Sequence, residues 1–163
     1  MPYTMKAEGL KELEKMLNDA GEHAEIIAAK GLYDGAGEMA DTIKRQVRTI
    51  RTEPFWYAQG GSQRLPSPEE RQIVEDANAG IARFDKNGAE VQTSVGFSRA
   101  GYATLKGKTV PIPKIANAIN SGTSFLKKQP FFRKAVTAGK KSAVAKMKTN
   151  MLKNPINTKR IML

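Results

Sequence analysis

The sequence predicts an α+β domain, in which a small antiparallel sheet of three or four strands packs against two longer helices, with short helices between. Three observations predict it. Apolar residues recur every three or four positions from Glu22 to about Arg51, and again from about Pro130 to Leu152. Between these stretches, Ile81 to Phe84 and Glu90 to Phe97 read as strands, with Asn87-Gly88 as a type I′ hairpin signal. Gly and Pro then break residues 98–113 into short runs that suit further strands.

Taken in order, residues 6–20 form an amphipathic helix with Leu10, Leu13, Met16 and Leu17 on one face, ended by Gly21. The long helix that follows carries Gly31, Gly35 and Gly37, each costing about 1 kcal/mol relative to Ala in a helix interior. They ask for close approach of another backbone or mark a kink. Arg45, Arg48 and Arg51 form a row on its far face. Thr52 to Pro66 is irregular and includes three consecutive aromatics, Phe55, Trp56 and Tyr57. They cannot all face one core, so they are candidates for a partner interface or for a flap over the protein's own core, with stacking on nucleobases a third reading. Ser67-Pro68-Glu69-Glu70 is a helix start with a capping box, so the acidic residues complement the helix dipole and are not a catalytic pair.

In the hairpin, Val91, Thr93, Val95 and Phe97 share one face. Tyr102 to Leu105 and Val110 to Ile112 suit a third and a fourth strand, and Lys114 to Asn120 a short helix with Ile115, Ala116 and Ile119 inward. Gly122 suits a left-handed helix end, and Pro130 a first helical turn. Phe131 and Phe132 open the last helix, whose other face carries Arg133, Lys134, Lys140, Lys141, Lys146 and Lys148. Residues 1–152 thus read as one domain, and residues 153–163 as a basic, flexible tail.

Composition narrows the function. The chain of 163 residues contains no cysteine and a single histidine, His23, so thiolate chemistry, disulfides and a multi-histidine metal site are excluded. His23 reads as a solvated helix position. No catalytic constellation, metal site or cofactor motif emerges, and Gly96, Gly101 and Gly107 lack the strand-to-helix context of a phosphate loop. No apolar run approaches the roughly 20 residues of a membrane span, and the N-terminus lacks a signal-peptide core. A cytoplasmic protein without a membrane partner is the default expectation. Residues 1–80 carry 10 Lys+Arg against 14 Asp+Glu, net −4, whereas residues 81–163 carry 17 against 2, net +15. A basic half of this kind meets something negative: nucleic acid or an acidic protein surface. Lys140, Lys141, Lys146, Lys148, Lys153, Lys159 and Arg160 are its candidate contacts.

The order of parts resembles a known family. G-L-K-E-L-E-K-M-L near the N-terminus, an Ala-rich helix, Gly80-Ile81 before a hairpin, and a short helix leading into S-G-T and Q-P-F-F-R-K-A-V are similar to the small neck and tail-completion proteins of long-tailed bacteriophages. The most recognisable signature falls on Gly122, Thr123, Pro130, Phe131 and Phe132. Against that pattern, residues 52–80 look like an inserted loop and helix. The resemblance implies a non-enzymatic virion protein of the neck, a ring-forming homo-oligomer between head-connector and tail proteins, with DNA in its lumen. It makes Gly122, Thr123, Phe131 and Phe132 interface candidates beside Phe55 to Tyr57. The rival expectation is a free-standing basic module that binds nucleic acid.

Overall fold

A computed structural model describes residues 3–5, 22–54, 63–87 and 90–153. Its elements in order are β1 (Tyr3–Met5), α1 (Glu22–Arg48), α2 (Pro68–Ala77), β2 (Gly80–Ile81), β3 (Asp85–Asn87), β4 (Glu90–Gly96), β5 (Tyr102–Leu105), β6 (Lys108–Pro111), α3 (Ile112–Ser121) and α4 (Phe131–Lys153). The fold is α+β, as the periodicities require. The helix expected over 6–20, the aromatics Phe55 to Tyr57, the His23 side chain and residues 154–163 of the tail lie outside the described residues, while Lys153, expected to begin the tail, closes α4.

β4 is the centre of the main sheet. β1 pairs with one side of it, and β2 and β3 share the other, all antiparallel. Ile81 pairs with Val95 and Ala82 N–H donates to Ser94 O (2.8 Å), whereas Asp85 pairs with Gln92. Arg83 and Phe84 therefore both oppose Thr93, which is a β-bulge and explains why one expected strand is split in two. Thr93 is buried there, its hydroxyl donating to Ala82 O (2.8 Å). The hairpin closes one residue later than the Asn-Gly signal suggests. Asn87 pairs with Glu90, so Asn87 is the last strand residue and not a turn residue.

The second hairpin, β5–β6, turns through Lys106 (φ +49°) and Gly107 (φ +72°). Two successive positive φ values are what a type I′ turn demands. The expected third and fourth strands are thus present, with β6 starting at Lys108 rather than Val110.

α1 lies across the main sheet, and α4 packs along α1. The buried stripe of α1 is Leu32, Ala36, Met39, Ile43 and Val47, the spacing of a straight core-facing helix. That of α4 is Phe131, Ala135, Gly139, Ala143, Met147 and Met151, always four apart. A step of four residues overshoots a turn of about 3.6 by some 40°. The stripe therefore winds around α4, so that Phe131 meets Phe97 beyond β4 (ring centroids 6.2 Å) while Met147 and Met151 meet α1. Fully burying each large aliphatic side chain contributes roughly 1.5–3 kcal/mol, which makes this seam a main source of stability.

Two of the three α1 glycines have the packing reason expected of them. A methyl group added at Gly31 would overlap Met151, and one at Gly35 would overlap Met147. Gly37 faces open space. On the opposite helix, Gly139 gives room to Thr42 in the same way.

Candidate interaction surfaces

The chain from Ser121 to Pro130 folds into a short loop held by local bonds at nearly every step. α3 ends as Gly122 N–H donates to Ala118 O (2.9 Å), with Gly122 at φ +78°. A side chain at Gly122 would also come within 3.1 Å of the Lys128 backbone N. The Thr123 hydroxyl accepts from Phe125 N–H (3.2 Å) and Leu126 N–H (3.0 Å), while Thr123 N–H donates to Leu126 O (2.9 Å). This turn buries Leu126 at 4% exposure and leaves Phe125 at 75%. Lys127 and Lys128, both exposed, follow directly.

Long-range bonds then fix the loop to the rest of the molecule. Arg64 N–H donates to Phe125 O and Lys127 N–H donates to Arg64 O, each at 2.8 Å, a two-bond parallel bridge. Gln63 Nε2 donates to Thr123 O (2.7 Å). The Gln129 amide accepts from Arg51 N–H (3.0 Å) and donates to Arg51 O (2.6 Å), clasping the chain just beyond α1. Asn120 Oδ1 accepts from Phe132 N–H (3.1 Å), one of the orphan donors at the start of α4.

Behind this bridge sits a buried ion pair. Arg64 donates both guanidinium arms to Glu70 (2.7 Å each), with side-chain exposures of 15% and 8%. Glu70 also closes the capping box of α2, accepting from Ser67 N–H (2.7 Å) while its own N–H donates to Ser67 Oγ (3.1 Å). Burial pushes the Glu70 carboxyl up, but the Arg64 and Ser67 bonds outweigh it and hold the group below the ordinary carboxylate range. The acidic start of α2 is therefore a structural cap.

The aromatic segment itself lies outside the described residues, but its two ends are placed. Glu53 N–H donates to Pro66 O (2.9 Å) and Leu65 N–H to Glu53 Oε2 (3.3 Å). The chain leaves at Pro54 and returns at Gln63, directly beside Thr123. The structure thus brings the returning end of that segment, Gln63 and Arg64, together with Thr123 and Phe125. Phe131 is not part of that surface. At 3% exposure it belongs to the core, between Phe97 and Phe132. Half-buried Phe132 lines an open groove of about 420 Å³ with Phe97, Pro113, Ala116 and Asn120.

The basic candidates divide. Lys140, Lys141 and Lys148 are exposed on α4, together with Arg133 and Lys134. Lys146 turns to α1, where Glu38 accepts from it (3.4 Å), from Arg45 (3.3 Å) and from Ser142 Oγ (3.0 Å). The Ser142 bond, followed by those of Arg45 and Lys146, lowers the Glu38 carboxyl despite its partial burial. Lys153 is exposed in the last turn, and Lys159 and Arg160 lie outside the described residues. The expected arginine row on α1 is largely engaged as well, Arg45 with Glu38 and Arg48 with Glu75 of α2 (2.7 Å).

Sequence reading had not singled out Arg64, Phe125, Gln129 or Asn120 as functional or positioning residues. The signal for Asn120, Phe125 and Gln129 was their place beside or within S-G-T and Q-P-F, whereas nothing in the local sequence marks Arg64. Among the described residues, no cluster of His, Asp or Glu is arranged to hold a metal ion, and no helix is long and apolar enough to cross a membrane. Comparison with protein-family models, curated proteins and solved structures returns no match.

Proposed function

We propose that the chain is a non-enzymatic structural subunit of a bacteriophage neck, joining head connector to tail as one member of a ring. One observation carries this reading. Of the residues on which the resemblance rests, Gly122 and Thr123 form, and Pro130, Phe131 and Phe132 follow, a single hydrogen-bonded loop that leaves Phe125 exposed. A rigid, exposed aromatic suits an interface anchor, because little ordering entropy remains to be lost on binding. In this reading the site of action is the virion, and the partners are further copies of the chain and the neighbouring connector and tail proteins.

The test is the solution mass of the full chain by light scattering at low and moderate salt. A closed oligomer in the absence of DNA, reduced to monomer by Phe125→Ala, is the expected result. A monomer that gains mass only on duplex DNA, and loses it as salt rises, overturns the neck reading in favour of the free-standing nucleic-acid-binding module.

A further inference from the structure

The cations of α4 are not spread evenly around it. At about 100° per residue, Arg133, Lys134, Lys140, Lys141 and Lys148 fall within an arc of about 120°. All five are exposed, and at about 1.5 Å per residue they extend some 22 Å along the helix. No acidic side chain occurs anywhere on α4. Across the seam, Glu38 is already engaged by Lys146, Arg45 and Ser142, and Asp34 by Asn150 (2.6 Å), each on the flank away from this arc.

We infer that the α4 ridge of Arg133, Lys134, Lys140, Lys141 and Lys148 binds the phosphate backbone of duplex DNA without reading its sequence. What lies between the charges favours DNA over an acidic protein. Thr137 is exposed and Val144 half-buried, no aromatic sits on the arc, and the exposed Leu152 comes only beyond its C-terminal end. Protein interfaces need an apolar core and are depleted in lysine. A backbone of phosphates needs only repeated positive charge, and duplex DNA supplies one negative charge per about 1.7 Å of axis. The ridge offers no hydrogen-bonding pattern fixed by neighbouring residues, so it has no means of distinguishing bases. This inference rests on the geometry of α4 and not on the neck reading.

The experiment measures binding of the full chain to two unrelated duplexes, and to polyglutamate, across a salt series. Three proteins are compared: the native chain, a ridge variant with all five residues changed to Gln, and a control with Lys30, Arg83, Arg99, Lys108 and Lys114 changed to Gln. The control loses the same charge from exposed positions elsewhere. Five phosphate contacts give a log–log salt slope of about −4.5. The ridge variant is expected to lose most of that slope, about one unit per contact removed, and the control to keep it, with equal affinity for both duplexes. Equal loss in both variants overturns the inference, because net charge alone would then explain binding. So does a clear preference for one duplex, absence of DNA binding by the native chain, or retention on polyglutamate but not on DNA, which assigns the ridge to an acidic protein. A monomer that loses DNA through the ridge substitutions leaves this inference standing while sinking the neck reading. A ring that ignores DNA does the reverse.

Discussion

The loop around Phe125 and the ridge of α4 both belong to the basic half of the chain, yet they are built in opposite ways. In the loop most backbone N–H groups are engaged, and Gln63, Arg64 and Gln129 tie it to segments 60 to 80 residues away. Its exposed large apolar side chain, Phe125, stands beside the exposed Lys127 and Lys128. On the ridge, the five side chains are long, charged and borne by a helix held in place by its separate buried stripe. The first arrangement fixes a shape, which is what recognition of another folded surface demands. The second fixes only a line of charge, which is enough for a polyanion. Net charge alone hides this division, because it counts Lys127 and Lys146 like Lys140.

The largest predicted effect tests whether the loop owes its shape to the ion pair behind it. Arg64→Ala leaves Glu70 buried without its guanidinium and is expected to cost about 3–5 kcal/mol in denaturant unfolding. The same pair predicts a pH dependence. The folded Glu70 carboxyl lies below its ordinary value of 4.5, so its contribution is present above that value and is lost as pH falls through the lowered one. Glu70→Gln should therefore destabilise the protein at neutral pH, and the difference from the native chain should shrink steadily in acid. A gap that stays constant down to strongly acidic pH would contradict the pairing.

The seam that carries the ridge gives a matched pair of smaller effects. Gly35→Ala must displace Met147, an overpacking expected to cost about 1–3 kcal/mol. Gly37→Ala meets open space in the same helix and should stabilise by up to about 1 kcal/mol in thermal or denaturant unfolding. Equal signs for the two would mean that the α1–α4 contact is misplaced. At the bottom of the scale, Phe125→Ala should leave stability within about 0.5 kcal/mol, as an exposed position requires, while removing assembly.

Much of the fold was readable because it is written in periodicity and turn chemistry. The capping box at Ser67, both long helices and the presence of strands on either side of residue 88 follow from local spacing, although the turn after Asn87 and the start of β6 fall elsewhere than the sequence signals suggest. The split of the strand before the hairpin was not readable, since nothing in Arg83 or Phe84 marks a bulge until Asp85 is paired with Gln92. The candidate surfaces were legible only in part. S-G-T predicted a helix end, but Gln129 reaching Arg51 and Arg64 bridging Leu126 are contacts across more than 60 residues, which no local pattern encodes. Phe131 shows the reverse error. Two adjacent phenylalanines look alike in sequence, and only the winding stripe of α4 decides that the first is buried in the core and the second stays half-buried.

The account stands on the claim that loop and ridge do separate work. The most direct test is the light-scattering mass of the native chain, Phe125→Ala and the five-residue ridge variant, each with and without duplex DNA. The prediction is a crossed pattern: Phe125→Ala abolishes the oligomer but still gains mass on DNA, while the ridge variant stays oligomeric and does not. If both substitutions remove both properties, or each removes the other's, the two surfaces are one and the division proposed here is wrong.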